Sequence, residues 1–188
     1  DRIEAGSYIL ATMATKGRLK LNNFNPKDLA FPLKLYKEMG LKIKKLSNSS
    51  YEIYCKTLKP VKKISTKEFP GYPTDLQAQL IATQLKSGLK SKVVENIFEN
   101  RFIHIPELRR FGANLSIKGN TVTIDKTSNL LGAEVMATDI RASFSLIIAA
   151  MMSKGKTVIN RIYHLDRGYE DFDLKLKKCG CLLYTSDA

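Results

Sequence analysis

Three stretches of this chain repeat one pattern. Each starts with Asp, runs through an apolar helical segment to a Gly, and continues into a short strand. The first runs from Asp1 to Gly17 with Leu19 to Leu21 behind it. The second runs from Asp75 to Gly88 and then Lys92 to Glu95, and the third from Asp139 to Gly155 and then Thr157 to Asn160. The starts lie 74 and 64 residues apart. Repeats of this kind mark units that share one core, because a single unit cannot cover its own apolar face. Phe144 to Met152 has almost no polar face, so this helix has to sit inside the assembly of units.

Each unit continues in a common way. A loop led by Asn or Arg follows the strand: Asn22-Asn23-Phe24, Asn96-Ile97-Phe98 and Arg161-Ile162-Tyr163. A second helix comes next, expected over Asp28 to Met39, Pro106 to Phe111 and Tyr169 to Lys178, each ending at a glycine (Gly40, Gly112, Gly180) suited to a left-handed cap. A β-hairpin then closes the first two units; in the second, Ala113 to Ile117 and Thr121 to Ile124 flank Lys118-Gly119-Asn120. Cys55 to Pro73 is an irregular join, read as a short strand over Val61 to Ser65 and a stiff turn at Pro70-Gly71-Tyr72-Pro73. Strands alternating with helices indicate an α/β architecture of repeated units.

A chain of 188 residues with 44% hydrophobic residues can bury a real core as one domain. The longest apolar run, Leu146 to Met152, is far short of the ~20 residues a membrane-spanning helix needs, so no membrane partner is expected. The N-terminus carries neither an initiator Met nor a signal-peptide pattern and reads as a chain cut within a longer protein. The net charge of +13 raises a nucleic-acid partner. However, the basic residues are 23 Lys and only 8 Arg, spread along the chain, and Lys42 to Lys67 lacks the interleaved aromatics that base stacking needs. Solvated lysines explain the charge more simply, and a basic nucleic-acid-binding repeat protein stays as an alternative. Cys55, Cys179 and Cys181 form neither a disulfide framework nor a zinc-ligand spacing. They read as reduced thiols of a cytoplasmic chain, and no metal or other cofactor is expected.

The candidate chemistry rests on a few side chains. Asp75 follows Pro73-Thr74 immediately before a helix. It is either a helix cap, as its repeats Asp1 and Asp139 suggest, or a carboxylate held rigidly where it can take a proton from a substrate hydroxyl. Arg101 and Arg167 occupy matching slots in the second and third units, with Lys27 in the first. Together with Arg141 they are either ordinary surface cations or, gathered at one end of the repeats, an anion site for carboxylate and phosphate. His104 and His164 are the only imidazoles; His164 is read as a structural or loop-orienting residue. No Ser/His/Asp order, HExxH, GxGxxG or P-loop is present.

Six motifs carry a resemblance. They are Asp-Arg-Ile-Glu-Ala-Gly (1–6), Pro-Gly-Tyr-Pro-Thr-Asp-Leu-Gln-Ala-Gln (70–79), Glu-Asn-Ile-Phe-Glu-Asn-Arg-Phe (95–102), His-Ile-Pro-Glu-Leu-Arg-Arg (104–110), Met-Ala-Thr-Asp-Ile-Arg-Ala-Ser (136–143) and Arg-Ile-Tyr-His-Leu-Asp-Arg-Gly-Tyr-Glu (161–170). From Asp1 to about Gly180 the chain resembles the C-terminal part of the enolpyruvyl transferases of peptidoglycan precursor synthesis. The resemblance implies an inside-out α/β barrel of three pseudo-threefold repeats, helices central and sheets outside. It implies transfer of the enolpyruvyl group of phosphoenolpyruvate to the 3-hydroxyl of UDP-N-acetylglucosamine, with release of phosphate. A relative with another acceptor, such as shikimate 3-phosphate, is the alternative within the family.

Carried over residue by residue, Asp75 binds the 3-hydroxyl and is the base. Ile97 and Phe98 meet the UDP-sugar, Arg101, Arg141 and Arg167 meet phosphoenolpyruvate, and Asp139 supports the reacting centre. The family's other domain, with its general-acid Cys loop, is the implied partner. None of the three cysteines here stands in that motif. Residues 1–180 are then one domain without its first and last strands. Residues 181–188 depart from the family and are expected to be a non-native tail, and this piece alone is expected not to turn over.

Overall fold

The computed structural model describes residues 1–184. The first unit supplies α1 (Arg2–Ala14), β1 (Arg18–Leu21), α2 (Ala30–Glu38) and the hairpin β2 (Leu41–Lys45) and β3 (Tyr51–Cys55). The second supplies β4 (Ile64–Ser65), α3 (Gln77–Gln84), β5 (Ser91–Val94), α4 (Ile105–Arg110) and the hairpin β6 (Leu115–Lys118) and β7 (Thr121–Ile124). The third supplies β8 (Glu134–Met136), α5 (Ser143–Met152), β9 (Val158–Asn160), α6 (Tyr163–Asp166) and α7 (Phe172–Lys178). Each unit has its own sheet, in the orders β1-β3-β2, β4-β5-β7-β6 and β8-β9. Two of the connections are parallel crossovers, β4 to β5 over α3 and β8 to β9 over α5.

The helices α1, α3 and α5 pack against one another. Ile9, Leu10, Met13, Leu80, Ile81, Phe144, Leu146 and Ile148 on them are fully buried. A helix that is apolar all round must be covered all round, and each such side chain contributes about 1.5–3 kcal/mol by leaving water. The sheets follow the same logic at period two. Ile43 pairs with Ile53 and Leu41 with Cys55 on the inner face, while Lys42–Tyr54 and Lys44–Glu52 alternate outward. A one-residue slip would turn Lys42 and Lys44 toward the core.

The three central helices start at the same end. Asp1, the cap of α1, bonds Arg141 just ahead of α5 at 3.3 Å. Gly6 of α1 lies so close to Leu76, just ahead of α3, that a Cβ there would stand 2.6 Å from Leu76 Cδ1. At the opposite end, Lys86 Nζ donates to the Met152 carbonyl at 2.7 Å. A buried polar knot ties the units together. Ser7 Oγ and Tyr169 OH share a hydrogen bond of 2.8 Å, and Gln79 Nε2 donates to both at 3.1 Å.

Several expected boundaries move, each for a local reason. The helix expected over Asp28 to Met39 is a 3-10 turn, Pro26–Leu29, followed by α2. Helix α3 is likewise preceded by a 3-10 turn, Thr74–Leu76, and α5 begins only at Ser143. The helix expected over Tyr169 to Lys178 is α7 alone, because Asp171 adopts a left-handed φ of 45°. The loop expected at Arg161-Ile162-Tyr163 runs into the one-turn α6. Strand β4 is two residues long rather than five. Val61 N–H is drawn away to Gln84 Oε1 at 2.8 Å and does not join the ladder. In the stretch expected to be non-native, Cys181 and Leu183 pack partly against the core, Leu182 and Tyr184 are exposed, and 185–188 lie outside the described residues.

The terminal glycines behave as expected, with φ of 111° at Gly40, 86° at Gly112 and 89° at Gly180. At Gly40 a Cβ would also collide with the Thr57 carbonyl oxygen, whereas Gly88, at φ 89°, has nothing within 4 Å. Gly88→Ala should therefore cost only the left-handed penalty, about 1–2 kcal/mol. Gly40→Ala should cost clearly more, and urea midpoints of the two variants check the difference.

His104 is fully buried ahead of α4, and neither ring nitrogen has a hydrogen-bond partner among the described residues. Burial pushes the imidazole from its ordinary 6.5 down to about 4; Asp139 opposes the shift and Arg101 adds to it. As pH falls through 6.5 the unfolded chain takes up a proton that the folded chain refuses until about 4. The stability linked to this residue is whole above pH 6.5 and lost between 6.5 and 4, at up to roughly 1.4 kcal/mol per pH unit. Unfolding midpoints measured across that range should fall less steeply in His104→Leu.

Candidate functional site

The common start of the three central helices gathers three N-termini, where partial positive charge and free N–H groups favour anions. The repeated aspartates stand there and do different work. Asp1 caps α1, its Oδ1 accepting from Ile3 N at 2.6 Å and Glu4 N at 3.3 Å, while Oδ2 takes the Arg141 guanidinium. Asp139 holds the turn before α5, Oδ1 accepting from Arg141 N at 2.8 Å and Ala142 N at 2.7 Å. Asp75 caps nothing: the turn Thr74–Leu76 has no side-chain cap. Its Oδ1 instead receives Arg101 Nη2 at 2.9 Å, and its side chain stays 40% exposed. Of the two readings open for this slot, capping describes Asp1; Asp139 braces the turn ahead of α5, whose own start has no side-chain cap, and Asp75 bonds Arg101 in place of the backbone.

The segment before Asp75 is held from several directions. Tyr72 is fully buried; its OH donates to the Leu76 carbonyl at 3.1 Å and shares a 2.9 Å bond with Tyr36 OH. Thr74 Oγ1 donates to Glu95 Oε2 at 2.8 Å. The carboxylate is thus carried on a turn anchored at both sides.

Arg101 serves two partners. Beyond its ion pair with Asp75, its guanidinium lies 5.1 Å from the centre of the Phe98 ring. Phe98 is exposed and Ile97 half-buried. A partly exposed ion pair of this kind is worth only about 0–1 kcal/mol, so a stronger ligand can displace either partner. Arg141 is fixed more tightly: Nη1 donates to the Gly168 carbonyl at 3.1 Å and the guanidinium sits 5.6 Å above the Tyr169 ring. Tyr169 in turn stacks on Phe144 at 4.5 Å and joins the axial knot with Ser7 and Gln79. Arg167 is exposed at the end of α6, one residue from Gly168, with no ion pair among the described residues.

The structure thus brings Asp75, Arg101, Phe98 and Ile97 into one cluster, and Asp139, Arg141 and Asp1 into a second. Arg167 stands next to the second without touching it, and Lys27 lines a groove with Arg2, Phe69 and Pro73. The His164 ring lies tilted against that of its neighbour Tyr163, the centroids 4.3 Å apart. Cys55 is buried, and burial pushes its thiol up; Cys179 is exposed. Among the described residues no three His, Cys, Asp or Glu side chains meet where they could share a metal ion. One residue was given no role in the sequence reading. Glu95, 3% exposed, accepts hydrogen bonds from Thr66 Oγ1, Thr74 Oγ1, Ile97 N and Phe98 N. The signal in the sequence was an acidic residue directly after the two valines that end β5.

The sequence and the fold match known proteins. The chain is 50% identical over 182 residues to the UDP-N-acetylglucosamine 1-carboxyvinyltransferase of Pelagibacter ubique, covering 96% of this chain and 43% of that protein. It is 46% identical over 181 residues to the protein of the same name from Nitratiruptor sp., with the same shares covered. The chain therefore spans less than half the length of these curated relatives. Among solved structures, the enolpyruvyl transferase NikO of Streptomyces tendae superposes with a TM-score of 0.84 at 25% identity, over 96% of this chain and 43% of that one. The EPSP synthase of Acinetobacter baumannii, at 15% identity and a TM-score of 0.72 over 95% of this chain and 45% of that one, shares the fold. The family model for EPSP synthase (3-phosphoshikimate 1-carboxyvinyltransferase) matches residues 1–176. The chain belongs to this family of enolpyruvyl transferases.

Proposed function

We propose that the protein carrying this chain transfers the enolpyruvyl group of phosphoenolpyruvate to the 3-hydroxyl of UDP-N-acetylglucosamine and releases inorganic phosphate. The observation that supports this most directly is the division of labour among the repeated aspartates. Only Asp75 keeps its carboxylate off the backbone, beside a cation and an exposed aromatic ring.

In this reading Asp75 accepts the proton of the 3-hydroxyl as that oxygen bonds to C2 of phosphoenolpyruvate. The methylene C3 takes a proton from an acid outside this chain's own motifs. Loss of a proton from C3 then expels the phosphate and restores the double bond. Arg101, Arg141 and Arg167 meet the carboxylate and phosphate, aided by the helix N-termini. Asp139 holds the backbone at Arg141 and so sets where that cation points. Ile97 and Phe98 border the sugar nucleotide, and closure of a second domain over the site excludes water. The three units close as an inside-out barrel with the helices at its axis, and the enzyme works in the cytoplasm. None of the helices among the described residues is long and apolar enough to cross a membrane.

In the full-length protein, phosphate release should require both substrates, and shikimate 3-phosphate should not replace the sugar nucleotide. Steeply salt-dependent binding to RNA with no phosphate release would favour the nucleic-acid reading instead. Asp75→Asn should lower kcat by about 10²- to 10⁴-fold with the melting temperature nearly unchanged. Undiminished turnover would remove Asp75 from the mechanism.

A further inference from the structure

Glu95 follows β5 and is buried with both carboxylate oxygens in use. Oε1 accepts from Thr66 Oγ1 at 2.8 Å, Ile97 N at 2.8 Å and Phe98 N at 3.2 Å, and Oε2 accepts from Thr74 Oγ1 at 2.8 Å. Thr66 Oγ1 in turn accepts from Asn96 N at 2.8 Å, so its proton is committed to Glu95. Besides Thr66, just after β4, one carboxylate thereby grips two further segments that are far apart in sequence. One is the turn 96–98; the other is the residue immediately before Asp75. Arg101 closes the circuit from the outer side, pairing with Asp75 and covering the Phe98 ring. The contacts form a ring, from Glu95 through Thr74, Asp75, Arg101 and Phe98 back to Glu95.

A buried carboxylate is a costly way to fill space, and an apolar side chain would serve a core better. Its value lies in accepting four hydrogen bonds at one point, two of them from consecutive backbone N–H groups. We propose that Glu95 is a positioning residue of the transfer site. It sets the backbone at Ile97 and Phe98 and the aim of Asp75 relative to one another, so that the sugar nucleotide is held with its hydroxyl at the base. This inference rests on the function proposed above.

Three variants of the full-length protein separate the two arms. Glu95→Gln keeps the size but places an amide donor where every neighbour donates. It should raise KM and Kd for UDP-N-acetylglucosamine about tenfold or more, the loss expected for bonds to a charged acceptor, and leave KM for phosphoenolpyruvate within about twofold. Glu95→Asp retains the carboxylate and should recover part of that affinity. Thr74→Val severs only the link to the Asp75 turn, and it should lower kcat about tenfold with KM for the sugar nucleotide unchanged. Glu95→Gln with a lowered melting temperature but unaltered kcat and KM values overturns the inference. Should Glu95→Gln not fold, Thr74→Val with unaltered kcat overturns it equally. A wild-type protein that releases no phosphate with UDP-N-acetylglucosamine overturns the functional reading first, and an active wild type leaves these variants to test Glu95 alone.

Discussion

Three helices buried on nearly every face have to hide one another, and much of this structure follows from that demand. Once α1, α3 and α5 form a common core, each unit's sheet can only lie outside them, its apolar alternation turned inward. The loops leading into the three helices are then forced to one end. Packing of apolar side chains is not directional, and a bundle held by it alone could slide or rotate. The knot of Ser7, Gln79 and Tyr169 supplies the missing direction, because its hydrogen bonds are satisfied in one relative placement of the three units.

The same constraint builds the site. Three helix N-termini at one end make a region that favours anions before any side chain is considered. Two arginines add specific cations, and each of the two is aimed by a different device: Arg101 by Asp75 and Phe98, Arg141 by Asp1, Gly168 and the Tyr169 ring. Tyr169 belongs to both the axial knot and the seat of Arg141, so one residue couples the integrity of the core to the geometry of the site. Repetition also explains how the three aspartates diverge. The slot ahead of each central helix carries Asp, which bonds backbone N–H groups at Asp1 and Asp139; where the turn is 3-10 and has no side-chain cap, the same residue pairs with Arg101 instead.

Much of this could be read from local pattern. The repeats, the central helices, the hairpins and the glycines at φ 111°, 86° and 89° are all consequences of periodicity or of backbone conformations that few residues tolerate. Asp75, Arg101 and Arg167 stood out for their repeat slots, and Arg141 as a further arginine beside Asp139. The shortness of β4, the split at Asp171 and the late start of α5 did not, because each depends on a competing contact: Gln84 on Val61 N–H, a left-handed φ at Asp171, and Asp139 on the turn before α5.

The sequence by itself determined the units, their order and the residue types offered to the site, since these rest on spacings of a few residues and on side-chain chemistry. Only the tertiary structure decided which aspartate is a cap and which is free, that Arg101 bridges Asp75 and Phe98, and that Glu95 binds the two arms of the site together. The links from Arg101 to Asp75 and from Glu95 to Thr74 join residues more than 20 positions apart, and the rest turn on where one side chain points. Such a choice is made by the packing of whole units against one another, and no local pattern in the chain records it.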